Sequence, residues 1–256
     1  MNMETSIDLH LSSYGTDAAA LARKHGLGIE ITEFSYAANM DRDFPRWDEL
    51  THSNLAGIQR RIFHAPFNEL CPAAVDPKIA ELTRQRLEQA YTLTRRYNID
   101  RMVVHSGYIP NLYAKSWFTE HSVRFWRDFL FDKPPDFSLL LENVMEGEPD
   151  MLRDIVEKTG DTRFQLCLDI GHAGGAFSNL PLAKWIQTAA PVLGHVHIHN
   201  NWRGRDAHNP PADGLIDIKA ALAAIMERRP GITYTAETQD LREALAWFES
   251  SGFISL

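Results

Sequence analysis

Residues 166–177, LCLDIGHAGGAF, run apolar and then set Asp169 and His172 three positions apart among small residues. A carboxylate and an imidazole at that spacing suit two tasks: closing a tight turn, or holding divalent cations with oxygen and nitrogen donors. The same residue types recur along the chain. His10, Glu30 with Glu33, His64, His105, Glu142, Asp169 with His172, His197 with His199, and Glu237 each fall toward the end of a short apolar run. Asp206 and His208 follow in NWRGRDAHNPP. Singly, such a histidine is most simply a satisfied buried imidazole. Together, acids and imidazoles converging on one face would be costly to desolvate unless cations lay among them. Glu, Asp and His without Cys point to Zn²⁺, with Mn²⁺, Co²⁺ or Fe²⁺ as alternatives, before Ca²⁺ or Mg²⁺. Gly171, Ala173, Gly174 and Gly175 are expected to let a ligand approach the backbone. His25, His52 and His121 fall in helix or loop contexts and read as surface residues.

These side chains need elements to aim them. Eight β-type runs recur: 6–11, 27–34, 61–67, 101–106, 138–144, 164–170, 193–199 and 232–238. Several are apolar nearly throughout, as in strands covered on both faces. Between them lie stretches with helical spacing. Over 78–97, Ile79, Leu82, Leu87, Ala90 and Leu93 form one predicted apolar stripe. His25-Gly26 and Arg229-Pro230-Gly231 mark helix stops. Eight strands alternating with helices predict an α/β fold, a single (β/α)8 TIM barrel over residues 1–256. An open dinucleotide-binding sheet is disfavoured, because no Gly-rich phosphate loop follows the first strand. In a barrel, chemistry belongs at the carboxyl ends of the strands, where these ionisable residues stand. The aromatic loop at 35–47 is expected to cover part of the mouth. His195, His197 and His199 share one side of their strand by the period of two. His195 is expected to be a core or supporting residue, and His199, nearest the mouth, to meet substrate.

Composition narrows the classes. The formal charge is −8, with 44% hydrophobic and 23% charged residues, which describes a foldable chain without a basic footprint for nucleic acid. Cys71 and Cys167 are far apart and without CxxC spacing, so both read as reduced and buried. The first residues lack a basic leader, and no run of about 18 apolar residues occurs. A soluble, cytoplasmic protein without membrane contact is the expectation.

LENV, LDIGHA, HVHIHNNWRGRDAH and the closing AET resemble the xylose isomerase-like TIM-barrel superfamily, which includes sugar epimerases and isomerases and endonuclease IV. The resemblance runs from about His64 to Glu237 and implies the same barrel. Its epimerase-like pattern implies one metal held by Glu142, Asp169, His197 and Glu237. There Glu142 and Glu237 also act as acid and base, and His172 and Arg203 touch substrate. Its endonuclease IV-like pattern implies those four ligands plus His64, His105, His172, Asp206 and His208, nine in all, around up to three metals. In that pattern Asp169 and His172 serve different metals. The sequence departs from its relatives at Asn200, where Asp is usual, and at Ala212-Asp213-Gly214, where Gly-x-Gly is usual. The resemblance thus implies a metal-dependent hydrolase of phosphoesters or phosphodiesters, taking a small or nucleotide-like substrate. The alternative is a sugar or sugar-phosphate isomerase or epimerase with one divalent metal. The chain is short for a nuclease of abasic sites and offers only Phe67 as a DNA wedge, so duplex DNA is not the expected partner.

Overall fold

The computed structural model describes residues 6–202 and 204–255. Eight parallel strands close into a barrel in chain order, each hydrogen-bonded to the next and the last to the first. They are β1 (Asp8–Ser12), β2 (Gly28–Ile31), β3 (Arg61–His64), β4 (Arg101–His105), β5 (Ser138–Glu142), β6 (Phe164–Asp169), β7 (Leu193–Ile198) and β8 (Thr233–Ala236). Each lies within one of the runs picked out from the sequence, β1 reaching one residue further. The intervening helices are α1 (Ala18–His25), α2 (Phe44–Leu55), α3 (Pro77–Arg96), α4 (Lys115–Leu130), α5 (Asp150–Thr159), α6 (Leu182–Ala189) and α7 (Ile218–Arg228), with α8 (Leu241–Ser250) after the last strand.

Local chemistry sets the helix ends. Asp76, Asp217 and Asp240 cap α3, α7 and α8 by accepting from Lys78 N, Ala220 N and Glu243 N at 2.8, 2.9 and 3.1 Å, which satisfies amides that have no partner in the first turn. Gly26 closes α1 in the left-handed region at φ 64°, as predicted for a helix stop.

Two expectations need correction. The stripe on α3 is shorter than predicted: Ile79 and Leu82 are exposed, and the buried face consists of Thr83, Leu87, Ala90, Leu93 and Thr94. The threonines can be buried because their hydroxyls donate to Ile79 O and Tyr91 O, at 2.8 and 2.7 Å. Residues 35–47 are also less of a loop than expected. A 3₁₀ turn covers Ala37–Met40 and α2 begins at Phe44, with Pro45 in its first turn, where a missing N–H costs nothing. Phe44 packs on Phe34, ring centroids 6.0 Å apart, so this segment turns inward against the helical shell.

The period of two along each strand decides what fills the barrel. A small apolar layer of Ile62, Val103, Leu140 and Cys167 forms its own buried cluster. The rest of the interior is unusually polar for a barrel, whose layers are ordinarily branched aliphatic residues. His10, Glu30, His195, Thr233 and Thr235 are all buried there. His10 is thus an interior residue of β1, below the rim where the sequence placed it. Its ring fits because its register partner is Gly28, where a Cβ would overlap the imidazole.

Candidate metal centre

Strand register brings the donors together. His105 is the register partner of Glu142, and Asp169 that of His197. Glu237 continues β8 beside β7, its N–H donating to Ile198 O at 3.0 Å. Each is the last inward residue of its strand, so they meet at one end of the barrel.

Three groups of donors result, two of them sharing Glu142: His64, His105 and Glu142; Glu142, Asp169, His197 and Glu237; and His172, His199, Asp206 and His208. All nine residues expected as ligands therefore converge, and His199 joins them. Glu142 Oε2 lies 3.3 Å from His64 Nε2 and 3.2 Å from His105 Nε2. Its other oxygen lies 3.3 Å from His197 Nδ1, which is also 3.3 Å from Glu237 Oε2. Asp206 stands 3.2 Å from His172 Nε2 and 3.3 Å from His208 Nε2. In a fourth trio, Cys167, His195 and His197, His195 is already satisfied. Both nitrogens of His195 are held by hydroxyls, Thr233 Oγ1 at 2.7 Å and Thr235 Oγ1 at 3.0 Å, which agrees with a supporting role.

Hydrogen bonds fix the imidazoles. His64 and His172 each donate from Nδ1 to a backbone carbonyl, Ala65 O and Asn143 O, at 2.9 Å. His208 donates from Nδ1 to Glu237 O at 3.1 Å. His197 donates from Nε2 to Glu30, 3.1 and 3.3 Å from its two oxygens. In every case the remaining nitrogen faces the donor cluster, the arrangement by which proteins orient metal-binding histidines.

Charge supplies the test of fit. Among the described residues, Glu142, Asp169, Asp206 and Glu237 have no Lys or Arg within ion-pair distance; their partners are histidines. Burial opposes protonation of His172, yet Asp169 and Asp206 outweigh it and push the imidazole up to about 10. His208, also opposed by burial, is pushed up to about 9 by Asp206 and Glu237. Burial would raise Glu237, but His197 holds it down at about 2. Positive charge is therefore demanded here. Three buried atoms, Glu142 Oε2, His197 Nδ1 and Glu237 Oε2, lack any hydrogen-bond partner, a costly state for polar atoms that a cation would relieve. The set of oxygen and imidazole donors fits divalent transition ions.

Asp169 answers both readings of its turn. Its Oδ1 accepts from His172 N at 2.6 Å, and its Oδ2 lies 2.9 Å from His199 Nε2. Asn143 brackets the same residue, accepting from Asp169 N at 2.9 Å and donating to Asp169 O at 3.1 Å. Gly171 and Gly174 make room for protein rather than ligand, whereas Gly175 has open space beside it. A Cβ at Gly171 would overlap the His199 ring, and one at Gly174 would overlap Ile216. His199 is fully buried and bonded to Asp169, so the expected contact with substrate is corrected to a role within the cluster. Arg203, the other expected substrate contact, lies outside the described residues.

The departures from the relatives have a local logic. Asn200 donates to Pro211 O and Ile216 O at 2.7 and 3.0 Å and accepts from Asn201 N and Ile216 N at 2.9 and 3.0 Å. An aspartate could not donate to those carbonyls. Gly214 is packed against Asn200, and a Cβ there would overlap its side-chain oxygen. His208 is carried by the same loop with φ 48°, a left-handed backbone that an L residue adopts at some cost.

Sequence reasoning assigned no role to Glu30, Asn143 or Thr235. Glu30 carried a signal, a carboxylate at an inward position of a strand that is otherwise apolar. Asn143 and Thr235 carried none beyond adjacency to a donor and the period of two.

The match to known proteins follows the geometry. The family model for the xylose isomerase-like TIM barrel matches residues 8–251. The chain belongs to this family. The uncharacterised protein MJ1311 of Methanocaldococcus jannaschii is 24% identical over 197 residues, 72% of this chain, and the match spans 66% of that relative's length. The TTHB071 protein of Thermus thermophilus, from a crystal soaked with zinc chloride, is 25% identical at a TM-score of 0.74, covering 96% of this chain and 98% of that one. A D-tagatose 3-epimerase-like protein aligns at 20% identity and 0.74, covering 95% of each chain. A family 2 AP endonuclease of Brucella melitensis aligns at 14% and 0.72, covering 95% and 99%. The last two likenesses show a shared fold alone, and they span two kinds of chemistry. Among the described residues no helix is long and apolar enough to cross a membrane.

Proposed function

We propose that this member of the family is a metal-dependent hydrolase of phosphoesters, phosphodiesters first, acting on a small or nucleotide-like molecule. One observation carries the reading: His64, His105, His172, Asp206 and His208 complete two further donor groups around the four residues that an isomerase would need. Glu142 and Asp169 would tie the groups together, and Zn²⁺ is the cation their donors suit best. Bound there, divalent cations supply Lewis acidity, activating water and neutralising charge on phosphoryl oxygens. The protein's own part is to hold and exclude. His197, Glu142 and Asp169 are buried and keep bulk water from beneath the site, while the exposed Asp206 and half-buried His208 stand at its mouth. Ser106, the serine lining the cavity, is committed to Glu146 and so is not offered as a nucleophile.

A second reading keeps one metal and sugar chemistry. It is favoured by the four-residue group itself, in which Glu142 and Glu237 approach His197 Nδ1 equally, each at 3.3 Å. Two carboxylates so placed can take and return one proton of a bound substrate. Elemental analysis of metal per purified chain separates the readings. About three ions support phosphoester hydrolysis. One ion, together with exchange of substrate hydrogen in D₂O, replaces it with isomerisation.

A further inference from the structure

The cavity over the donor cluster, of about 310 Å³, has two unlike walls. One is formed by His64, His105, Glu142, His172, Asp206, His208 and Glu237. The other is mainly apolar, with Phe67, Leu70, Tyr108, Ile109, Val144 and Met145, and carries Asn68 and Ser106 as its polar members. No lysine or arginine lines the cavity among the described residues. Ile109 and Met145 are 47% and 42% exposed, so their apolar surface faces the entrant rather than the core. The Phe67 ring stacks on His105, a donor of the cluster, with centroids 4.1 Å apart and planes 18° apart.

This wall is built into the fold. Gly107 turns at φ +72°, and a Cβ there would overlap Leu70 O. The loops after β3 and β4 therefore meet backbone to backbone, which sets Phe67 and Leu70 beside Tyr108 and Ile109. Tyr108 N donates to Ser106 Oγ at 3.1 Å, and Ser106 is tied in turn to the buried Glu146. The apolar surface is thus held at a fixed place next to the cluster.

We infer, resting on the phosphoester reading above, that the organic group beside phosphorus is flat and apolar, an aryl ring or nucleobase seated against Phe67, Ile109 and Met145. A polyol placed against these three side chains would leave most of its hydroxyls facing carbon, with Asn68 as the nearby amide, at the cost of unpaired polar groups. An aromatic ring gains area and stacking. The volume stands at the small end of ligand sites and suits one ring system rather than an oligomer. With no basic residue on this wall among the described residues, the phosphate's charge is met on the cluster side, so the two halves of the substrate are sorted by chemistry.

The test is calorimetric binding to the zinc-loaded protein of four probes: inorganic phosphate, methyl phosphate, glycerol 1-phosphate and phenyl phosphate. Phenyl phosphate is expected to bind at least about tenfold tighter than the methyl and glycerol esters, the scale of one ring stack. Phe67→Ala and Met145→Ala should each shrink that preference while metal per chain stays the same. Equal affinity for phenyl and glycerol esters, or a preference that survives both variants, overturns the aromatic assignment and leaves the phosphoester reading standing. If none of the four, phosphate included, binds the loaded protein, the phosphoester reading fails and this assignment fails with it.

Discussion

Glu30 accepts a hydrogen bond from His197 Nε2 at 3.1 Å, which leaves the lone pair of His197 on Nδ1, toward Glu142 and Glu237. Thr235 Oγ1 donates to the same carboxylate at 2.6 Å. Burial would raise the Glu30 carboxyl, but His197 and His195 hold it well below its usual range. It stays anionic inside the barrel because imidazoles surround it. Glu30 is thus a positioning residue for the deepest histidine of the cluster.

Glu30→Gln keeps the shape and an acceptor oxygen but removes the charge. Supporting carboxylates of this kind are worth about 10–100-fold in metal affinity, so zinc should bind that much more weakly in a chelator competition titration. Unchanged circular dichroism would show that the fold is kept. An unchanged zinc affinity would rule out a role for Glu30 through His197.

His208 belongs only to the outer donor group. His208→Ala should lower metal content by one ion per chain in elemental analysis, without emptying the group around His197, and should abolish phosphodiesterase activity. A variant with the full metal complement and wild-type rate would refute the three-group reading.

Asn200→Asp restores the residue usual in relatives, and it should destabilise this chain. Asn200 is 1% exposed and gives two hydrogen bonds that a carboxylate cannot give. The variant places a negative charge against the carbonyls of Pro211 and Ile216, a change on the order of 2–4 kcal/mol. Thermal unfolding should show a midpoint lower by roughly 4–10 °C. An unaltered midpoint would mean that the loop is held elsewhere.

A fourth expectation concerns pH and lies far from the cluster. Asp48 accepts from Arg96 Nε and Nη2 at 2.8 and 2.6 Å and from Tyr97 OH at 2.7 Å. Arg96 above all, against the opposing effect of burial and with a smaller share from Tyr97, brings its carboxyl down to about 2. A lowered folded-state value stabilises the fold above the ordinary value of 3.8, and this contribution fades as pH falls through about 2. Asp48→Asn should therefore unfold about 2–4 °C earlier at pH 7, as befits a partly exposed network. The gap should close as the pH is lowered toward 2. A gap that persists at low pH would assign the loss to packing.

Much of this architecture could be read before any coordinates. The strands were legible because both faces are covered and each run is short and apolar. Most of the donors were legible because they stand at the last inward position of a strand, whereas His172, Asp206 and His208 came from the resemblance. Elsewhere local pattern was overruled by contacts between distant segments. Thr83 and Thr94 are buried in α3 because neighbouring carbonyls satisfy their hydroxyls, whereas Ile79 and Leu82 face solvent. Gly171 and Gly174 signalled open space, yet His199 and Ile216 fill it. Asn200 departs from its relatives, and only the folded loop shows which four groups it joins.

The way Asn200 and Asn201 pin the segment bearing Asp206 and His208 has an evolutionary reading. Seven of the nine expected donors are anchored to strand ends or the turn directly after them, whereas these two ride on an excursion held by the side-chain amides of Asn200 and Asn201 and by the backbone pairing of Asn200 with Asn209. Editing that excursion could add or delete an ion while the barrel beneath kept its shape. A lineage could in this way gain or lose one ion of the set by rewriting that excursion alone.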